Sequence, residues 1–109
     1  MIEVPKYMIQ ASYNAEGTKG LIRDGGVTRR EATKGLIESL GGTMESFYYA
    51  LGEDDAFVIV EMPDHPSLVA AMLAIGSSGL VTGKSTALFS AEEMDEATKK
   101  TANYRGPGK

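Results

Sequence analysis

The sequence predicts an α+β fold in which four antiparallel strands form one sheet and two helices cover one face of it. Three observations lead to this prediction. Four segments have the alternation or the aromatic content of strands, two have the apolar spacing of helices, and their order is strand, helix, strand, strand, helix, strand. The length of 109 residues fits a single domain, with a core over residues 6–90 and a C-terminal helix and tail over residues 91–109.

The first strand and the first helix are separated by a glycine-rich segment. KYMIQASY, Lys6–Tyr13, alternates apolar and small polar residues as a half-buried strand does. NAEGTKGLIRDGG is interpreted as a loop with one helical turn. In VTRREATKGLIESLGG, a helix is predicted because Thr28 and Glu31 match a capping box and Gly41–Gly42 supplies a left-handed stop. Its apolar face is expected to hold Ala32, Leu36 and Leu40, with Ile37 beside them.

A hairpin and a second helix follow. The apolar and aromatic content of TMESFYYAL and AFVIVEM predicts strands at Thr43–Leu51 and Ala56–Met62, joined by a turn at Gly52–Asp55. Asp64 is the predicted N-cap of the second helix, and Pro66 is tolerated in its first turn. The apolar stripe of this helix is Leu68, Met72 and Ile75, and GSSG ends it.

The last part of the chain predicts one strand and one short helix. LVTGKSTALF, Leu80–Phe89, is the fourth strand. Ser90 and Glu93 match a capping box, so a short polar helix is expected over Ala91–Lys100. The final residues, TANYRGPGK, are interpreted as a loose tail.

This order is the split βαβ, or ferredoxin-like, arrangement, which leaves one face of the sheet without helices. The residues expected to face the helices are Ile9, Ala11, Phe47, Val58, Val60, Ala87 and Phe89. The opposite face, called the free face below, is expected to hold Met8, Gln10, Ser12, Ser46, Tyr48, Phe57, Ile59, Glu61, Lys84, Thr86 and Leu88. Its apolar members suit burial better than water, and a second copy of the chain is the simplest cover. Two stacked sheets would enclose a partly polar cavity.

Composition and charge restrict the class of function. The net charge is −4 with a pI of about 4.9, and no basic block alternates with aromatic residues, so a nucleic-acid partner is not expected. The absence of cysteine excludes disulfides, thiol catalysis and zinc–thiolate sites. MIEVPKYMI lacks the pattern of a signal peptide, and the apolar run around Leu68–Ile75 is far shorter than the ~20 residues of a membrane span. A cytoplasmic protein without a membrane partner is therefore expected.

Several segments of the chain are similar to a known family. ASYNAEGTKGL, RREATKGLIESLGG, SFYYALGEDDAFVIVEMPD and SSGLVTGKSTALFS closely resemble the GYD domain family, over Tyr7–Ser90. The resemblance implies a ferredoxin-like fold of the kind seen in dimeric α+β barrels, and no established reaction. The Gly-Tyr-Asp signature of the family matches Gly52 and Asp55, while Asp54 occupies the tyrosine position. Barrels of this broader type include cofactor-independent monooxygenases, isomerases and haem-degrading enzymes, a link by fold alone.

The acids of the hairpin and the single histidine are candidates for metal binding and proton transfer. Glu53, Asp54 and Asp55 could offer oxygen ligands to calcium, but adjacent acids on a turn do not converge and the EF-hand spacing is absent. They are interpreted as a solvated turn, in which Asp55 caps the turn with its own side chain, and no metal site is predicted. His65 is a candidate proton carrier whose position after the helix cap predicts an exposed first-turn residue.

SGLVTGKS, Ser78–Ser85, does not fit a phosphate-binding loop. That motif requires glycine, four residues and then Gly-Lys-Ser/Thr, and Ser78 stands where the first glycine is needed. A helix also precedes and a strand follows, which reverses the usual context. Gly83 is interpreted as a bulge in the strand. Lys84 is interpreted either as an edge-strand lysine that opposes aggregation or as a contact for an anionic ligand.

Tyr48 and Tyr49 are neighbours in a strand, so their side chains are expected on opposite faces of the sheet. A tyrosine covered on the free face needs a hydrogen-bond partner, which Glu61 or Gln10 could supply. Such a Tyr–Glu pair could move a proton or form a structural hydrogen bond.

Three functions remain open at this point. The first is a homo-oligomer that binds a small organic ligand between subunits, with candidate ligand-binding residues Gln10, Ser12, Tyr48, Glu61, Lys84 and Thr86. The second is a cofactor-independent enzyme that uses Tyr48, Glu61 and His65 as proton carriers. The third is an assembly module whose free face only joins subunits. Convergent polar groups in an apolar pocket would favour binding or catalysis, and a solidly packed face would favour assembly.

Overall fold

The computed structural model describes residues 4–109 and has the expected ferredoxin-like arrangement. Four antiparallel strands form one sheet in the order β2-β3-β1-β4. The elements in chain order are β1 (Lys6–Tyr13), α1 (Ala15–Asp24), α2 (Gly26–Ser39), β2 (Thr43–Tyr49), β3 (Ala56–Glu61), α3 (His65–Ser77), β4 (Val81–Leu88) and α4 (Ala91–Thr98). The two central strands are therefore β3 and β1, and β2 and β4 form the edges.

The core lies between one face of the sheet and the helices α2 and α3. Alternate residues of the central strands, Tyr7 and Ile9 in β1 with Val58 and Val60 in β3, are buried on this face. They pack against apolar residues that the helices and the end of the β3 strand provide, namely Ile37, Leu68, Ala71 and Met62. The burial of alternate strand residues therefore confirms that Ile9, Val58 and Val60 face the helices.

The segment interpreted as a loop is in fact the ten-residue helix α1. Asn14 caps it by accepting a hydrogen bond from the backbone N–H of Gly17 at 2.9 Å. A Cβ atom on Gly17 would collide with the carbonyl oxygen of Leu80. The glycine that weakens the helical pattern is thus what allows α1 to approach the chain before β4 so closely.

Helix α2 also begins earlier than predicted. It starts at Gly26, directly after Gly25 with its positive φ of 86°, so Thr28 and Glu31 lie inside the first turns and form no capping box. Ala32 is exposed, which corrects its assignment to the apolar face. The predicted stop is confirmed: Gly41 and Gly42 donate backbone hydrogen bonds to Glu38 and Ile37, the pairing of a Schellman motif.

The other two helix starts agree with the sequence. Asp64 caps α3 by accepting a hydrogen bond from the backbone N–H of Ser67 at 2.8 Å. Hydrogen bonds from the side chain and the backbone of Ser67 lower the pKa of the Asp64 carboxyl group below its usual value. Ser90 and Glu93 form the predicted reciprocal capping box at α4.

Two expectations for the last strand are wrong. Gly83 pairs with Ala11 in an unbroken register, so it does not form a bulge. A Cβ atom there would lie 2.8 Å from Cε of Met72, which shows that the glycine makes room for α3. Phe89 does not join the helix-facing core, because it follows β4, is 61% exposed, and lines a cavity with free-face residues.

Candidate functional site

The free face consists of rows of side chains that run across the four strands. The register places Lys84, Gln10, Phe57 and Tyr48 side by side in one row. The next row holds Thr86, Met8, Ile59 and Ser46, and a third holds Leu88, Lys6, Glu61 and Thr43. Every residue predicted for the free face lies on it. Polar groups therefore occupy the two ends of this face, and Met8, Phe57 and Ile59 form an apolar centre.

A nearly buried carboxylate organises one end of the free face. Asp54 lies in the loop between β2 and β3 and is only 8% exposed. Its carboxylate accepts hydrogen bonds from Nε2 of Gln10 at 3.1 Å and from Oγ of Ser12 at 3.0 Å. Nζ of Lys84 lies 3.4 Å from the same group. We call these four residues the Asp54 cluster. A buried charge is tolerated when it is paired and hydrogen-bonded, and Asp54 meets both conditions.

The two aspartates of the hairpin thus have separate tasks, and neither belongs to a solvated turn. Asp55 does not cap its own turn. Instead, its carboxylate accepts a hydrogen bond from the backbone N–H of Tyr13 at 2.8 Å, at the end of β1. The backbone N–H of Asp55 also donates to Ala11 at 2.8 Å. Asp54 and Asp55 together fasten the β2–β3 loop to β1. Within residues 4–109, no three acidic or histidine side chains are grouped as metal ligands would be.

A cavity of about 550 Å³ lies at the opposite end of the free face. It is lined by Lys6, Glu61 and Leu88 from the sheet and by Phe89, Ser90 and Glu93 from the start of α4, with Val4 completing it. Its volume is in the range of ligand pockets, about 300–1,000 Å³. Nζ of Lys6 also forms an ion pair at 2.8 Å with Glu45, which lies at an irregularity in the β2–β3 register.

The predicted ligand-binding residues are only partly brought together. Gln10, Ser12 and Lys84 converge in the Asp54 cluster, Tyr48 lies in the same row as Gln10, and Thr86 lies one row away. Glu61 is four residues along the strands from that row, a distance of about 13 Å. Sequence reasoning missed Asp54, the residue on which the cluster depends. The sequence did contain one indication of its importance, because Asp54 occupies the position of the tyrosine in the family signature.

The three candidate proton carriers do not form one site. Tyr48 is 70% exposed on the free face, and Glu61 lies two rows from it. His65 is exposed at the start of α3, where its Nδ1 lies 3.3 Å from Oη of Tyr7, a residue of the helix-facing core. The sheet therefore separates His65 from the other two.

Tyr48 and Tyr49 lie on opposite faces, as predicted. Oη of Tyr49 donates a hydrogen bond to the carbonyl oxygen of Gly26 at 2.9 Å, and its ring packs edge-on against Phe47. Burial raises the pKa of the Tyr49 phenol, and the neighbouring Tyr13 raises it further. Because that phenol holds α2 against β2, Tyr49 is a structural residue.

Comparison with known proteins identifies the class of protein. The family model of the GYD domain matches residues 7–98, so the chain belongs to the GYD domain family. A crystal structure of MtbAldR has a similar fold, with a TM-score of 0.53 and 18% sequence identity. The alignment covers 96% of this chain and 57% of the MtbAldR chain, so this chain spans little more than half of that protein. A search of curated proteins found no match. Among residues 4–109, no helix is long and apolar enough to cross a membrane.

Proposed function

We propose that this GYD-family protein is a homo-oligomer that binds a small organic molecule between two stacked free faces. The observation that carries the proposal is the Asp54 cluster at the border of an apolar surface. Gln10, Ser12 and Lys84 are gathered around one nearly buried carboxylate, and Phe57 lies in the same row. Polar groups at fixed positions beside apolar side chains are the usual composition of a ligand pocket.

The chemistry of the row indicates what kind of molecule would fit. The rings of Phe57 and Tyr48 offer an apolar surface on one side of Gln10. The amine of Lys84, 63% exposed on the other side, retains donors beyond its contact with Asp54. A ligand with a planar or apolar body and a hydrogen-bond acceptor at one end would contact both. The second copy would exclude water from these contacts and thereby strengthen the polar ones.

Native mass spectrometry of the purified protein tests the proposal. We expect a dimer or a larger species that carries a reproducible additional mass, because gentle ionisation retains a ligand enclosed between subunits. Lys84→Ala should reduce the ligand-bearing fraction at least several-fold. Lys34→Ala, a lysine of α2 that is ion-paired with Glu38, is the matched control and should leave it unchanged.

Two results would contradict the proposal. A monomer would remove the stacked faces, and with them the enclosed site. An oligomer free of added mass, even after incubation with a library of small organic acids and amides, would leave assembly as the function of the free face.

A further inference from the structure

Two adjacent cavities lie on the helix-covered side of the sheet, away from the free face. The outer one has a volume of about 190 Å³ and lies between α1, the first turn of α2 and the start of β4. The inner one, of about 50 Å³, lies between the sheet and the helices α2 and α3. Tyr13, Arg29 and Val81 line both cavities, so the two adjoin. We call the two together the Arg29 cleft.

The inner end of the Arg29 cleft is apolar. Strand and helix side chains line it, among them Ile9, Phe47, Val58, Ile75 and Val81. An unfilled apolar space weakens a core, because the atoms around it lose van der Waals partners. A small hydrocarbon group would restore those contacts, so this end of the cleft favours an apolar fragment.

The guanidinium of Arg29 supplies the charge of the cleft. Its side chain is 37% exposed, and Nη1 lies 3.9 Å from a carboxylate oxygen of Asp24, too far for a hydrogen bond. The guanidinium donates no hydrogen bond within residues 4–109. The next arginine differs, because Arg30 donates to Glu31 at 3.1 and 3.2 Å. Arg29 therefore keeps a planar fork of donors, which fits a carboxylate, beside an apolar space.

The charges around the cleft favour a ligand with one negative charge. Burial and the neighbouring Tyr13 raise the pKa of the Tyr49 phenol, whereas the nearby charges of Arg29 and Arg30 lower it. Positive charge from α2 thus acts on groups at this end of the molecule. Asp24 lines the outer cavity as well and would repel a second negative charge. A monocarboxylate therefore suits the cleft better than a phosphate or a dicarboxylate.

Gly20, in the middle of α1, lines the outer cavity. Glycine is unfavourable in a helix interior, so its presence needs a reason. Close packing does not supply one, because a Cβ atom on Gly20 would meet nothing nearer than Nη2 of Arg23 at 3.9 Å. A longer side chain would extend toward Arg23 and occupy part of the cavity. The glycine thus keeps the outer part of the cleft open.

We propose that the Arg29 cleft binds a small organic monocarboxylate with a short apolar chain. The carboxylate contacts the guanidinium of Arg29, and the chain passes Val81 toward Ile75. The outer volume of about 190 Å³ equals that of about six water molecules, so the ligand has only a few heavy atoms. The sheet separates this site from the Asp54 cluster, so the proposal is independent of the stacking of free faces.

NMR titration of the isotope-labelled full chain with sodium butyrate tests the proposal. Saturable shifts are expected at the backbone amides of Tyr13, Arg29 and Val81, with a dissociation constant of about 1 mM or lower. Butyramide has the same shape without the charge. It should bind about tenfold more weakly, because it cannot form a charge-assisted pair with the guanidinium.

Three variants assign the binding to the cleft. Arg29→Gln should weaken butyrate binding about tenfold, and Arg29→Lys should restore only part of the loss, because lysine keeps the charge without the planar fork. Gly20→Leu should abolish binding by filling the outer cavity. Arg30→Gln is the matched control in the same turn of α2, outside both cavities and ion-paired with Glu31. It should leave the affinity within about twofold, since an exposed charge is screened.

Several results would overturn the proposal. One is the absence of saturable shifts at these amides up to about 20 mM butyrate. Equal affinities for butyrate and butyramide would remove the role of the guanidinium. Equal losses in Arg29→Gln and Arg30→Gln would show that only the overall charge of α2 attracts the anion. Wild-type affinity in Gly20→Leu would place the ligand outside the cleft. The amide spectrum of each variant reports its fold, so a loss of binding through unfolding is recognised directly.

Discussion

At the scale of a residue, Asp54 connects the loop between β2 and β3 to the polar end of the free face. Its carboxylate is nearly buried and is the shared acceptor for Gln10 and Ser12. Asp54→Ala would leave both donors without that acceptor and would release the loop between β2 and β3. We expect the free energy of unfolding to fall by about 1–3 kcal/mol, the usual penalty for unmatched, partly buried polar groups. Urea denaturation followed by circular dichroism measures it.

The neighbouring acid provides the control for this prediction. Glu53 is exposed in the same loop, so Glu53→Ala should change the free energy of unfolding by no more than about 0.5 kcal/mol. Equal effects of the two substitutions would show that Asp54 stabilises only through the loop's charge and not through its hydrogen bonds.

The Asp54 cluster could not be read from the sequence for a physical reason. Its hydrogen bonds join residues 42 and 44 positions apart, so they depend on the register of β1 against β3 and on the path of a loop. Periodicity reports only which face a strand residue occupies, and it placed Gln10 and Lys84 correctly. A turn residue has no such periodicity, and Asp54 was therefore assigned to solvent.

At the scale of an element, local signals located the strands better than the helices. Alternation in KYMIQASY predicted β1 with both of its ends. α1 was missed because its glycines lower helix propensity by about 1 kcal/mol each, and tertiary packing overrides that preference. The contact of Gly17 with Leu80 joins α1 to the residue before β4, and no local pattern encodes it.

The junction of α2 and β2 yields a prediction at the same scale. Gly42 ends the Schellman motif, and a Cβ atom there would lie 2.6 Å from Sδ of Met62 and 2.7 Å from the carbonyl oxygen of Glu61. Gly42→Ala should therefore lower the free energy of unfolding by about 1–3 kcal/mol through overpacking. Gly35→Ala, in open space in the middle of α2, should instead raise it by about 0.5–1 kcal/mol. Urea denaturation of both variants measures the difference, and shifts of the same sign would contradict this explanation.

At the scale of the whole molecule, the proposed burial of the apolar free face between two copies would couple folding to association. Mass action then makes the melting temperature depend on protein concentration. For a dimer of 109-residue chains, we expect about 2–4 °C per tenfold increase in concentration, given typical unfolding enthalpies. Scanning calorimetry at two concentrations measures this dependence.

Two lysine substitutions separate association from folding in that measurement. Ile59→Lys places a charge at the centre of the free face and should remove the concentration dependence, because an unpaired charge opposes burial between the sheets. Ala32→Lys adds the same charge on the exposed side of α2 and should keep it. A wild-type melting temperature that is the same at both concentrations would mean that Met8, Phe57 and Ile59 remain in contact with water. Without a second copy over Lys84 and Tyr48, the polar contacts of the free face would stay in water, where they are weak, and the proposed enclosed site between subunits would be ruled out.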